Sequence, residues 1–197
     1  MIVTNKKKSL ILVLFAIFMA IGLESCDSDS SYYHPNSESQ EYQKIFESMK
    51  GNYSGTYTTP LNSTKTIKYT IDSQANVKVT NFPMEVVLSK LCGSDYEYAN
   101  LSGDALSLSC PIDSVGYTAG YLSFKTKNDL ENNILNFSYT FNNVKHQGYM
   151  YVTVKGIYNF ANQIINTNFI VTDLIVDNKD LTSQFCPIDN VVEALKQ

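Results

Sequence analysis

Tryptophan is absent from this 197-residue chain, and histidine occurs twice, as His34 and His146. A Ser-His-Asp or Cys-His catalytic arrangement would therefore rest on His146, because His34 lies in a polar stretch rich in Ser, Asp and Asn. The chain has no G-x-S-x-G, H-E-x-x-H or Walker pattern. Asp95 with Glu97, and Asp27 with Asp29, lack the glycine and terminal glutamate of a calcium loop. Cysteine is scarce as well, and Cys26, Cys92, Cys110 and Cys186 show no C-x-x-C or Cys/His spacing for zinc or redox chemistry. No metal and no cofactor is expected. The net charge of −4 gives no basic surplus for nucleic acid. The apolar run at residues 10–23 is too short for a comfortable membrane span.

That run has a different use. Lys6, Lys7 and Lys8 precede it and Cys26 closes it, the order of a charged region, a hydrophobic region and a processing site in an exported precursor. Leu23-Glu24-Ser25-Cys26 resembles the lipobox of bacterial lipoproteins, with Glu24 where that pattern has a small uncharged residue. The resemblance implies cleavage before Cys26 and lipidation of its sulfur and amine. Several acyl chains anchor stably where one binds marginally. Asp27 and Asp29 resemble the surface-export tags of Bacteroides-type lipoproteins. The expected organisation is a signal peptide at 1–25, the lipidated cysteine and a flexible tether at 26–40, and one β-rich domain at 41–197. Outer-membrane attachment follows, facing the cell surface or the periplasm. Loss of Lys6, Lys7 and Lys8 with Glu24 makes the mature chain more acidic still.

From Gly51 onward β signals dominate. Apolar and polar residues alternate at 67–71, 77–79 and 135–141, each the mark of a strand with one wet face. Further strands are expected at 53–59, 105–110, 117–125, 148–158 and 164–176, separated by Asn-, Asp-, Gly- and Ser-rich turns. About eight strands at hairpin spacing make a mainly β fold, an antiparallel barrel or a β-sandwich. Two helices are expected against this background. Residues 38–50 set Tyr42, Ile45, Phe46 and Met49 on one stripe ahead of Gly51, and 82–93 carry Pro83 at a first turn and Gly93 as a stop. Residues 187–196 are expected as a weak helix or an extended tail.

The G-x-Y-x-G-x-Y rhythm of Gly51, Tyr53, Gly55 and Tyr57 fits the opening strand of a barrel, with aromatics on one face and glycines allowing close approach. This motif, with the lipobox, the amphipathic helix and Phe82-Pro83-Met84, resembles a group of uncharacterised lipoproteins of Bacteroides-type gut bacteria. The group carries no activity that could be transferred. The first strand also resembles calycin-like barrels, without the tryptophan of the lipocalin pattern. Cys110-Pro111-Ile112-Asp113 recurs as Cys186-Pro187-Ile188-Asp189, which is either coincidence or an internal duplication. The oxidising exported compartment would permit a Cys110 to Cys186 disulfide between the copies.

Fourteen tyrosines are the remaining functional resource. Tyr117, Tyr121, Tyr139, Tyr149 and Tyr151 fall in expected strands, where exposed rings could stack on sugar rings or another flat apolar ligand. Cross-strand packing is the plainer role for the same rings. The expectation is a lipid-anchored, non-catalytic ligand- or glycan-binding module of the envelope. Its alternatives are a structural subunit docking on an envelope protein through a strand edge, and a small hydrolase using two of Glu85, Asp95, Glu97, Asp104 and Asp113.

Overall fold

The computed structural model describes residues 32–33, 40–102, 106–118, 120–128 and 131–197. The expected signal peptide and Cys26 lie outside them. In chain order the elements begin with β1 (Tyr32–Tyr33), α1 (Gln40–Met49), β2 (Gly51–Thr58), β3 (Thr64–Ile71), β4 (Asn76–Val79) and α2 (Glu85–Cys92). A 3-10 turn (Gly93–Tyr98) leads to β5 (Asn100–Ser102), β6 (Leu108–Thr118), β7 (Tyr121–Thr126), β8 (Ile134–Phe141) and β9 (Val144–Asn159). The chain finishes with β10 (Ile164–Val176), β11 (Lys179–Asp180), α3 (Thr182–Phe185) and β12 (Ile188–Lys196).

Antiparallel pairing runs β2-β3-β4-β6-β7-β9-β10-β12 and returns to β2, so these eight strands close a barrel. Ring closure decides for the calycin-like barrel over the sandwich. Alternation makes one face of each strand apolar: β2 buries Tyr53 and Tyr57, β3 buries Ile67, Tyr69 and Ile71, and β12 buries Ile188, Val192 and Ala194. An eight-stranded barrel has an interior just wide enough for side chains to fill. A chain of touching rings does so, from Phe82 through Phe169, Tyr69, Tyr53, Tyr158 and Phe160 to Tyr117, with centroids 5.2 to 6.4 Å apart. Each such pair adds about 0.5–1.5 kcal/mol beyond simple burial. The Tyr69 hydroxyl meets Thr167 Oγ1 at 2.7 Å, so the phenol enters the core without an orphaned oxygen.

Two glycines let the wall close. A side chain at Gly156 would strike the Phe124 ring paired across from it, and one at Gly55 would strike the β12 backbone at Glu193. Both mouths are covered. At one, α1 buries Phe46 and Met49, Tyr53 donates its hydroxyl to the Met49 carbonyl, and Lys196 donates to the Ser48 carbonyl at 2.6 Å. At the other, Phe82, Met84, Val87 and Leu88 are buried, and Asn190 donates to the Pro83 carbonyl at 3.1 Å. Glu85 fastens α2 to the rim, accepting from Tyr57 at 2.8 Å and Lys65 at 2.6 Å.

Three expectations change. Residues 187–196 are neither helix nor tail but the closing strand β12, whose period is blurred in sequence by Asn190 and Ala194 on the buried face. The stretches expected at 105–110 and 117–125 resolve into one long strand, β6, and its hairpin partner β7, with Gly120 (φ 87°) in the turn. Within the expected flexible tether, Tyr32 and Tyr33 pair with Gly116 and Val115. β4 pairs only with residues 108–111 of β6 and leaves the rest of that edge open for them.

Candidate functional site

The departure from a plain barrel lies along β9. One edge of this strand is paired with β10 over residues 148–159, with a register shift between Val171 and Asp173. The other edge is shared: β7 takes residues 155–159, and β8 takes 144–151. At the change-over, Thr126 Oγ1 accepts the Val154 N–H at 2.8 Å, and the Asn133 carbonyl accepts the Val152 N–H at 2.9 Å. Asn133 also donates to the Lys127 carbonyl at 2.6 Å, which holds the crossing segment in place. β8 thereby leaves the barrel wall. With β5 on its outer edge and the far ends of β9 and β10, it forms a sheet that extends past one mouth.

Residues directly opposite in antiparallel pairs share a face. Leu135 with Met150 and Leu174, Phe137 with Gly148 and Val176, and Tyr139 with His146 make the apolar face, which continues the core. Asn136 with Tyr149 and Ile175, Ser138 with Gln147 and Ser102, and Ile134 with Tyr151 make the other. On that second face an open groove of about 630 Å³ is lined by Ile134, Asn136, Ser138, Gln147, Tyr149 and Ile175. Phe137, Gly148, Ser102, Asn178 and the approach to β6 at Leu106 and Ser107 complete it. The volume falls in the range of small-molecule sites. No lining residue is charged. Ser138 donates to the Ser102 carbonyl at 2.6 Å, and the two hydroxyl oxygens are 2.9 Å apart, which ties β5 to β8. The side-chain amides of Asn136, Gln147 and Asn178 hold no hydrogen bond among the described residues. Each presents both donor and acceptor capacity to the groove.

The five tyrosines singled out from sequence do not form one row. Tyr149 lines the groove, and Tyr151 touches its ring edge-on at 5.9 Å on the same face. Tyr139 points to the opposite, buried face and stacks on His146 at 4.8 Å; burial first, then the neighbouring Cys92 and Asp177, push its phenol up to about 12. Tyr117 and Tyr121 are about half exposed at the β6–β7 hairpin, with Tyr121 opposite Asn159. Asn159 and Tyr149 lie ten residue steps apart along β9, roughly 30 Å of strand. The amides of Asn136, Gln147 and Asn178 were not legible in advance. Polar residues on the wet face of a strand look alike in sequence, and the one clue was the uncharged Asn136 and Ser138 beside an aromatic-rich strand.

The cysteine pairing is corrected. Cys92, Cys110 and Cys186 are free thiols. Cys110 on β6 points into the core toward the Val152 carbonyl, and Cys186 precedes β12, four strands away in either direction round the barrel. A disulfide requires Cα atoms about 4.4–6.8 Å apart, a span that opposite walls do not meet. Burial pushes the Cys110 thiol up to about 12 and, with Asp173 and Asp180 nearby, that of Cys186 up to about 11. Both stay protonated and inert at neutral pH.

The two Cys-Pro-Ile-Asp segments lie near the start of the fourth barrel strand of a four-strand half, the first inside β6 and the second running into β12, in the halves β2-β3-β4-β6 and β7-β9-β10-β12. Ile112 and Ile188 are both buried. Their backbones differ: Cys186-Pro187 is a cis peptide, and β6 shifts register between Ile112 and Ser114.

Among the carboxylates, Glu85 is engaged with Lys65 and Tyr57. Burial raises it, but the hydrogen bonds from those two groups outweigh burial and hold it below the usual carboxylate range. Asp104 lies outside the described residues. His146 is bound to Asp177 at 2.7 Å, while Asp177 also accepts the Gln147 N–H at 3.0 Å; this backbone bond first, then His146, lowers its carboxyl. No group of three or more His, Cys, Asp or Glu that could hold a metal occurs among the described residues. No helix among them is long and apolar enough to cross a membrane.

No protein-family model, no curated protein and no solved structure matches this chain.

Proposed function

We infer that this is a lipid-anchored envelope protein of the Bacteroides type whose barrel is a scaffold and whose sheet extension binds a neutral glycan. The observation that carries the glycan assignment is the groove: about 630 Å³, uncharged, with the side-chain amides of Asn136, Gln147 and Asn178 available around the Tyr149 ring. Sugars offer hydroxyls that pair with amides and C–H faces that pack on an aromatic ring. An anionic ligand would meet no counter-charge there. Attachment through Cys26 is supported by the order of Lys6, Lys7 and Lys8, the apolar run at 10–23 and the lipobox-like residues. A protein partner is the second assignment, favoured by β5, whose three residues are all exposed at the outer edge of the extension and leave it open to strand addition.

The test is a glycan array and calorimetry on the folded, full-length mature chain, beside Tyr149→Ala and Asn136→Ala. Binding to a neutral oligosaccharide is expected, with an affinity loss of about tenfold in Tyr149→Ala. Thermal stability should be nearly unchanged. A folded chain that binds no sugar ends the glycan assignment and sends attention to the β5 edge. Separately, Cys26→Ser should abolish acyl labelling; a Cys26→Ser chain that still labels removes the lipid anchor.

A further inference from the structure

We propose that the barrel mouth carrying Tyr117, Tyr121 and Phe160 rests on the bilayer surface, so that the glycan groove faces away from the membrane. The proposal rests on lipidation of Cys26, as assigned above. Its geometric source is β1. Tyr32 lies opposite Gly116 and Tyr33 opposite Val115, antiparallel to β6, so Tyr32, the end of β1 nearer Cys26 in sequence, is the end nearer Tyr117. Five residues, Asp27 to Ser31, lie between Cys26 and Tyr32, and each of the six residue steps spans no more than about 3.6 Å. An anchor at Cys26 therefore keeps this mouth within roughly 20 Å of the lipid.

The surface held there has the chemistry of an interface. Tyr117 and Tyr121 are 48% and 47% exposed, and Tyr117 meets the half-buried Phe160 edge-on at 5.8 Å. The Phe160 N–H donates to the Gly120 carbonyl at 3.2 Å and joins the two hairpins into one rim. Residues 114–124 and 156–172 contain no charged side chain. Burying a tyrosine ring at headgroup depth gains apolar contact while its hydroxyl stays wet. This arc of the rim, from β6 through β7 and β9 to β10, brings no charged side chain of its own to the contact, while α1, which covers the same mouth, carries Lys44, Glu47 and Lys50. The opposite mouth also exposes an aromatic ring, Tyr98, but beside Asp95 and Glu97. The Tyr149 groove, roughly 30 Å along β9 from the Tyr121 hairpin, would then be presented to the surroundings.

Absence of tryptophan makes the test clean, since one introduced indole is the sole emitter of its kind. The full mature lipidated chain is reconstituted on phosphatidylcholine vesicles containing brominated lipid, as Tyr121→Trp, as Tyr117→Trp and, at the far mouth, as Tyr98→Trp. Both rim reporters should lose about half or more of their emission and shift to the blue, independently of salt, while Tyr98→Trp is unaffected. A chain that floats with the vesicles but shows equal emission from all three reporters overturns the docking and leaves the anchor standing. A chain that does not float overturns the anchor, and the docking with it.

Discussion

Tyr53 and Tyr149 are both strand tyrosines, and the barrel interior and the groove face assign them opposite work. Tyr53 is buried in a continuous chain of rings, its hydroxyl consumed by the Met49 carbonyl. Tyr149 sits half-buried on a face where Asn136 and Gln147 keep their side-chain hydrogen-bonding capacity free. The strand environment is the same in both places; what differs is the neighbour across the sheet. In the closed wall every inward residue meets the opposite wall. Where β8 has left the wall, one face of the extension still packs on the core and the other meets water. A barrel filled this way has its interior occupied by side chains, and the open groove lies on the part that departs from the ring.

The sharpest way to break this contrast is truncation on either side of it. Phe169→Ala should cost about 3–5 kcal/mol, because the ring is fully buried and meets Tyr69 and Phe82 edge-on. Tyr149→Ala should cost under about 1 kcal/mol in the same urea titration. Comparable losses for the two would show that the groove face is core and not site. Next in size, Tyr69→Phe strands the buried Thr167 hydroxyl and should cost about 1–2 kcal/mol. Thermal melts that coincide with wild type would mean that this internal hydrogen bond contributes nothing.

The smallest effect concerns the cover over the far mouth. Glu85 is held below its ordinary range in the fold, so its contribution is fully present above the unfolded-state value of about 4.3 and is lost as pH falls through the lower folded value. Glu85→Gln should therefore flatten the acid limb of the stability curve while leaving the groove intact. Acid limbs that superimpose would deny the latch any energetic part.

The β class, the amphipathic helix before Gly51, and the strands around Tyr69 and Phe137 were legible because apolar residues recur there with an undiluted period of two or of three to four. β12 was not, because Asn190 and Ala194 occupy buried positions that hydropathy alone does not mark. The site was legible only in part: Tyr149 was singled out, but together with Tyr139, which belongs to the opposite face, and Tyr117 and Tyr121 at the far end. One residue of register separates a core ring from a surface ring, and that register is set by pairing partners distant in sequence.

Local chemistry in the chain determined the β class, most of the segments that form strands and which residues those segments can bury. Only the tertiary structure decided that the strands close into a ring, that Cys110 and Cys186 stand on opposite walls, and that β7 and β8 divide one edge of β9. Alternation is a property of single segments, whereas closure and the splitting of an edge depend on hydrogen-bond register between strands far apart in the chain. The groove exists because of that split.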